Sequence, residues 1–289
     1  MTDTIYLERF RDVRDPRLGR HVQHDERSRR FAYRGPVSPP HTVKHERQVP
    51  VFDQGAVGSC TGNAAIGCLA TGPFFPTVNE RDAAEIRTLS QEAAVWVYSQ
   101  ASMIDPFRGQ YPPDDTGSDG LSVAKVLHGA GAISGYEHAF GLDQALAALM
   151  NTPLITGTSW LEGMYEPDAE GLVRPTGKSV GGHEYVIDEY DAERGWVGFT
   201  NSWSERWGLR GRFYMEAEAF GTLLADNGDV TVFVPSTEPA PEPDPDGPAG
   251  DDADMSLAAA VGSWARNTHA TGSKRVRRAV ATWLTAKGL

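Results

Sequence analysis

Cysteines and long apolar runs are both scarce in this 289-residue sequence. The two cysteines, Cys60 and Cys68, fall in one predicted helix, where about 12 Å would separate their Cα atoms. A disulfide tolerates only about 7 Å, so no disulfide framework is predicted and a reducing compartment is favoured. No stretch approaches the roughly 20 apolar residues of a membrane span, and the mixed-charge N-terminus lacks a secretory apolar centre. We therefore expect no membrane span and a cytoplasmic location.

Basic residues are scarce in the central part of the chain. The formal net charge is −12, and residues 49–237 hold 10 Lys and Arg against 25 Asp and Glu. An acidic body repels phosphates, so no nucleic-acid partner is expected. The same charge favours basic peptides over acidic ones as ligands.

Composition divides the chain into four segments. A basic N-terminal arm (1–48) precedes a central domain (49–236), an acidic, proline-rich linker (237–254) and two basic amphipathic helices (255–289). The linker is assigned because five prolines favour extended backbone and seven acids repel one another between residues 238 and 254. A tethered pair of amphipathic helices suits docking to a protein partner.

Within the central domain, hydrophobic periodicity changes from helical to strand-like. The pattern predicts helices first and then short β-branched and aromatic strands. The helices are expected at 60–70, 90–104, 119–130 and 141–150, and the strands at 153–160, 183–190, 195–203, 211–215 and 229–235. Helices followed by strands indicate an α+β protein with two lobes.

The stretch DQGAVGSC, residues 53–60, carries the first chemical signal. It places Cys60 at the first turn of a helix, where the macrodipole and free backbone N–H groups favour a thiolate. Cys68 lies on the small, apolar face of the same helix and is interpreted as a core residue.

A nucleophilic cysteine needs a base, and that base needs an orienting partner. His183 follows two glycines at the start of a strand, and Asn201 ends the next strand, so antiparallel pairing brings the two together. His41 and His45 share a helical spacing, but two prolines precede them and no further ligand follows, so no metal site is predicted. No cofactor is expected.

Three segments in this order resemble the papain-like cysteine peptidases: DQGAVGSC, GGHEYVI (181–187) and NSWSERWGLRGRFYM (201–215). The separations of 123 residues from Cys60 to His183 and 141 to Asn201 lie near the roughly 130–150 typical of the family. The resemblance covers about residues 49–235. It implies a two-lobed fold, a helical lobe followed by an antiparallel β-barrel-like lobe, with residues 49–236 as the catalytic domain.

The resemblance also implies roles for five residues. Cys60 is the nucleophile, His183 the general base and acid, and Asn201 the residue that orients His183. Gln54 supplies an oxyanion-hole N–H beside the backbone N–H of Cys60. Trp203 shields the Asn–His hydrogen bond from water. The expected reaction is hydrolysis of peptide bonds in a peptide or protein substrate, and no cofactor takes part.

Several residues depart from the family pattern. Val57 replaces a disulfide cysteine, and Thr61, Glu184, Ser204 and Phe213 also differ, which leaves substrate specificity open. The loops at 108–120 and 159–171 are expected to supply pocket residues. The 48-residue arm is short for an inhibitory pro-region, so regulation by another route is expected, as in compact forms encoded by bacteria and their viruses.

Two other functions stay open from the sequence. One is a papain-fold amidase or acyltransferase, because the same residues serve any acyl transfer. The other is a virion or scaffold protein whose papain-like domain only binds, and this alternative would make the protein virion-associated. Retention of Gln54, Cys60, His183 and Asn201 favours the peptidase.

Overall fold

Residues 15–75 and 89–235 are described by the computed structural model, and they form both helices and strands. In chain order these are β1 Val43–Lys44, α1 Cys60–Leu69, α2 Gln91–Ile104, α3 Gly120–Gly129, β2 Ile133–His138, α4 Leu142–Leu149, β3 Leu154–Leu161, β4 Ser179–Asp191, β5 Trp196–Thr200, β6 Arg212–Glu216, α5 Ala217–Ala225 and β7 Asp229–Pro235. Short 3₁₀ helices cover Glu26–Phe31 and Glu162–Met164. The predicted linker and C-terminal helices lie outside the described residues.

All four predicted helices and all five predicted strands are present, which confirms the α+β class. Two elements of the central domain were not predicted, β2 and α5. None of the helices in the described ranges is long and apolar enough to cross a membrane.

The strands form one antiparallel sheet in the order β2-β7-β3-β4-β5-β6, with β1 paired to β4. The sheet fits the expected β-barrel-like lobe only loosely. In the described part of the chain the outer strands β2 and β6 do not pair with each other. Each is instead bridged by a neighbouring segment, through Ala32 to His138 and through Leu172 to Tyr214. The sheet is therefore open, and each outer strand makes one bridge to a neighbouring segment.

Alternation along the strands gives the sheet two apolar faces. Ile155, Val186 and Phe233 pack with α1, α2 and α3 on one face. Their neighbours Leu154 and Tyr185 pack on the other face, in the cluster that also contains residues of α4 and α5. Because successive strand side chains point to opposite faces, one sheet builds both cores.

The helix N-termini differ in how they are capped. The Asp119 carboxylate accepts the backbone N–H of Ser122 at 2.8 Å at the start of α3. Ser59, which precedes α1, makes no side-chain capping bond. The first N–H groups of α1 are therefore not used by a capping side chain, and α1 begins at Cys60.

Candidate active site

The pairing of β4 with β5 brings His183 and Asn201 together. Val186 pairs with Thr200 in the antiparallel register, and Asn201 directly follows β5. The His183 Nε2 lies 2.7 Å from Asn201 Oδ1, which also accepts the backbone N–H of Ser202 at 2.7 Å. Because Oδ1 is an acceptor, Nε2 carries the hydrogen and Nδ1 keeps a lone pair. That Nδ1 is buried and makes no hydrogen bond of ordinary geometry among the described residues, although the Arg17 backbone also acts on the imidazole and raises its pKa.

Aromatic rings enclose the His183 imidazole. The ring centroids of Trp203 and Trp160 lie 4.8 Å and 5.1 Å from that of His183. His183 is fully buried. Burial lowers its pKa to about 4, although the hydrogen bond to Asn201 acts in the opposite direction. The imidazole is therefore neutral at pH 7 in this conformation.

Cys60 lies where α1 packs against β4. Its thiol is fully buried, and the backbone N–H groups of Glu184, Gly19 and Thr61 act on it. Burial nevertheless raises the pKa of Cys60 to about 12, because it outweighs those donors. In this conformation burial therefore acts against the thiolate that the sequence predicts.

The Gln54 side chain is held by three hydrogen bonds. Its Oε1 accepts the Ser202 hydroxyl at 2.6 Å. Its Nε2 donates to the carbonyl oxygens of Val57 at 2.8 Å and Arg17 at 3.1 Å. The amide N–H thus faces a peptide carbonyl that belongs to the N-terminal arm.

Residues 15–21, here called the cleft segment, lie across Cys60 and His183. Arg20 N–H donates to the Gly182 carbonyl at 3.1 Å, and Leu18 is only 5% exposed. At Gly19 a Cβ would collide with the backbone of Gly58, so only glycine fits this approach. The arm thus covers the site although it is short for an inhibitory pro-region.

A solved structure with the same architecture is xylellain, a cysteine protease from Xylella fastidiosa. The two share 19% sequence identity with a TM-score of 0.57, and the match covers 77% of this chain and 97% of xylellain. The chain has the papain-like cysteine protease fold.

Two further structures match at lower TM-scores. They are the proform of the ragweed cysteine protease Amb a 11 and procathepsin L 3 of Tenebrio molitor larval midgut. Amb a 11 shares 18% sequence identity with a TM-score of 0.46, and the match covers 85% of this chain and 74% of Amb a 11. Procathepsin L 3 shares 13% sequence identity with a TM-score of 0.45, and the match covers 79% of this chain and 78% of procathepsin L 3. No protein-family model and no curated protein sequence matches the chain.

Both loops expected to line pockets of the papain-like fold contact the cleft segment. Ser118 exchanges backbone hydrogen bonds with Gly19 and His21, at 2.9 Å and 2.8 Å. The Tyr165 hydroxyl donates to the Asp15 carboxylate at 3.1 Å. The loops 108–120 and 159–171 therefore flank the cleft.

His41 and His45 of the arm lie apart from this site. His45 Nε2 is 2.7 Å from the Leu149 carbonyl oxygen, and His41 Nδ1 is 3.2 Å from that of Pro39. His45 is half-buried, and His41 is exposed. No group of three or more His, Cys, Asp or Glu suited to a metal ion occurs in residues 15–75 and 89–235.

Sequence reasoning missed a buried ionic cluster beside His183. Arg20 of the cleft segment forms an ion pair with Asp229, and Glu184 lies next to both. Burial raises the pKa of Glu184 well above its ordinary value, and Asp229 adds to the rise. One sign of this cluster in the sequence is Glu184, which stands where a small residue is usual. It does not identify Arg20 or Asp229 as partners.

Proposed function

We propose that the protein is a cysteine peptidase in which Cys60 attacks a peptide carbonyl and His183 transfers the proton. The observation that carries the proposal is the 2.7 Å bond from His183 Nε2 to Asn201 Oδ1, which leaves Nδ1 unpartnered beside the helix that begins at Cys60. The papain-like fold, shared with xylellain, supports the same assignment.

The proposed reaction proceeds through a thioester. His183 Nδ1 takes the Cys60 proton as sulfur attacks the carbonyl carbon, and the imidazolium then protonates the departing amine. Water repeats the sequence on the thioester, which releases the acid and restores the thiol. Gln54 Nε2 and the Cys60 backbone N–H stabilise the oxyanion in both steps. The Gln54 bond to the Arg17 carbonyl supports this role, because it already binds a peptide oxygen.

In this account Asn201 and Trp203 position the base. Asn201 fixes the tautomer of His183, and Trp203 keeps water from their hydrogen bond. The substrate must displace the cleft segment, because that segment covers both reacting side chains.

An amidase or acyltransferase would use the same four side chains, since each transfers an acyl group through a cysteine thioester. One observation favours the peptidase. The cleft segment is itself a peptide that lies along the cleft, and its backbone is bonded to Gly182 and Ser118. A binding-only role does not require His183 to keep an unpartnered nitrogen.

Hydrolysis of a mixed library of internally quenched peptides tests the proposal. The full chain and its Leu18→Ala variant, whose cleft segment is less firmly packed, are assayed in parallel. We expect Cys60→Ala and His183→Ala each to abolish turnover. Gln54→Ala should lower kcat by about 10²–10³-fold, as for the loss of one oxyanion donor. Asn201→Ala should cost less than the 10²–10⁴-fold typical of losing general acid–base catalysis altogether.

Cys68→Ala is the matched control, because it removes the other buried thiol of α1 and should retain turnover. Turnover that survives Cys60→Ala would contradict the proposal. So would the absence of any peptide cleavage by both the full chain and the Leu18→Ala variant.

A further inference from the structure

Two carboxyl groups, those of Glu184 and Asp229, lie beside the candidate catalytic residues. Glu184 follows His183 in β4, and its backbone N–H acts on the Cys60 thiol. The Glu184 side chain is fully buried, and neither carboxylate oxygen has a hydrogen-bond partner among the described residues. A buried carboxylate of this kind is costly unless a cation neutralises it.

Two glycines bring a second carboxylate into the same space. A Cβ on Gly120 would lie 2.7 Å from Glu184 Oε1 and 3.1 Å from Asp229 Oδ2. A Cβ on Gly157 would collide with Glu184 and with the Arg20 guanidinium. The two carboxylates therefore converge, and the absence of a side chain at Gly157 leaves room for the Arg20 guanidinium. We call Glu184, Asp229, Gly120 and Gly157 the acidic pocket.

Arg20 of the cleft segment fills the acidic pocket. Its side chain is 1% exposed, pairs with the Asp229 carboxylate and donates to the Asn227 carbonyl at 2.8 Å. Burial opposes its charge, but Asp229 and Glu184 outweigh that effect, so the pKa of Arg20 lies above its ordinary value. The planar guanidinium bonds the Asp229 carboxylate and the Asn227 carbonyl at fixed angles, which suits an arginine better than an ammonium, and its charge acts on Glu184 without a hydrogen bond.

The carboxylates and the cation of this cluster come from different parts of the protein. The walls come from β3, β4, β7 and the N-terminus of α3, which belong to the folded domain, whereas the cation comes from the segment lying across the cleft. When that segment leaves, the pocket keeps two carboxylates and loses their counter-ion. Removing one partner of a buried ion pair is strongly unfavourable. Whatever replaces the cleft segment is therefore favoured if it brings its own cation.

We propose that the acidic pocket selects an arginine side chain of the peptide substrate, and that Arg20 occupies this subsite when the cleft segment is in place. The proposal rests on the proposed peptidase function and specifies its substrate as arginine-containing peptides. Truncating one member of a buried charge pair at a binding site costs about 30-fold or more in affinity. Neutral side chains should be disfavoured to at least that extent.

The test uses the full-length Arg20→Ala variant and the octapeptide DPRLGRHV, which matches residues 15–22. A matched peptide carries citrulline, the uncharged isostere of arginine, in place of the second arginine. Binding is measured as protection of Cys60 from iodoacetamide, followed by mass mapping. We expect the arginine peptide to protect at about 30-fold lower concentration than the citrulline peptide.

Two further variants check that the discrimination comes from the pocket. Glu184→Gln should remove most of the preference for arginine over citrulline. Glu205→Gln, which neutralises an exposed carboxylate elsewhere on the domain, should retain it. Equal protection by the two peptides would overturn the proposal.

A second measurement needs no change at Arg20. Cleavage sites in a mixed peptide library, determined with the full chain and with Leu18→Ala, should share an arginine at one fixed distance from the cleaved bond. Efficient cleavage at sites without that arginine would overturn the pocket proposal and leave the peptidase standing. Selective binding of the arginine octapeptide without any peptide cleavage would overturn the proposed peptidase function and leave the pocket proposal standing.

Discussion

At the scale of single residues, the environment of His183 determines the protonation state of the site. Trp160 and Trp203 exclude water from the imidazole, and Asn201 holds its Nε2 hydrogen. The lowered pKa means that the folded protein binds a proton at this residue less readily than the unfolded chain does. Stability must therefore depend on pH through His183.

The sign and range of that dependence follow from the two pKa values. The folded-state pKa of about 4 lies below the ordinary 6.5, so the stabilisation is complete above about pH 6.5 and is lost as the pH falls towards 4. The contribution is on the order of 3 kcal/mol. Urea unfolding of the full chain at several pH values should show this loss, and His183→Gln should flatten it. The control His24→Gln removes an exposed imidazole and should keep the wild-type slope; an unchanged slope in His183→Gln would contradict the account.

The roles of individual residues were predictable to different degrees. The pairing of His183 with Asn201 followed from the order of two strands, because neighbouring antiparallel strands fix which residues meet. The pairing of Arg20 with Asp229 joins residues 209 positions apart and depends on where the arm lies, which no local pattern specifies. Glu184 departs from the family pattern, but the sequence does not show which cation lies beside its carboxylate.

At the scale of elements, the cleft segment controls access to Cys60. Its anchors include Leu18, which is buried in the larger apolar cluster, and Arg17, whose guanidinium lies 4.0 Å from the Trp203 ring centroid. The segment also bonds to Gly182 and Ser118 through its backbone. These contacts accompany the complete burial of Cys60, and burial favours the neutral thiol.

Loosening the cleft segment should therefore expose Cys60. Leu18→Ala removes a buried side chain, a change that typically costs about 2–5 kcal/mol, so we expect alkylation of Cys60 by iodoacetamide at pH 7 to accelerate by at least about tenfold. Val22→Ala, at a position of the same arm that is 45% exposed, should have no such effect. Cys68 reports on global unfolding, because it is buried within α1 with its thiol 3.4 Å from the Pro153 carbonyl oxygen. Equal Cys60 rates in the wild type and Leu18→Ala would show that the segment does not limit access.

The elements themselves were largely predictable, and the failures have physical causes. Ser90 and Asp119 cap two of the four helices and mark where they begin. Strand β2, with the sequence ISGYEH, lacks regular alternation and is stabilised by its pairing with β7. The path of residues 15–21 is set by contacts with β4 and the loop ending at Ser118, so composition alone could not place it.

At the scale of the whole molecule, one antiparallel sheet separates two apolar cores and positions the site between them. Helix α1 packs on one face and delivers Cys60, while β4 and the end of β5 deliver His183 and Asn201. The fold class followed from the order of helices and strands. The openness of the sheet did not, because closure depends on whether β2 and β6 meet, and Ala32 and Leu172 bridge those edges instead.

The central claim is that Cys60 becomes acylated during turnover. The most direct measurement is acid quenching of the full-length Leu18→Ala variant during its reaction with p-nitrophenyl esters of mixed peptides, followed by intact and peptide mass analysis. A good leaving group makes acylation fast, so the thioester accumulates. The account predicts a mass increase equal to the peptide acyl group, located on Cys60 and absent from Cys60→Ala. An adduct on another residue, or continued hydrolysis of these esters by Cys60→Ala at the parent rate, would contradict it.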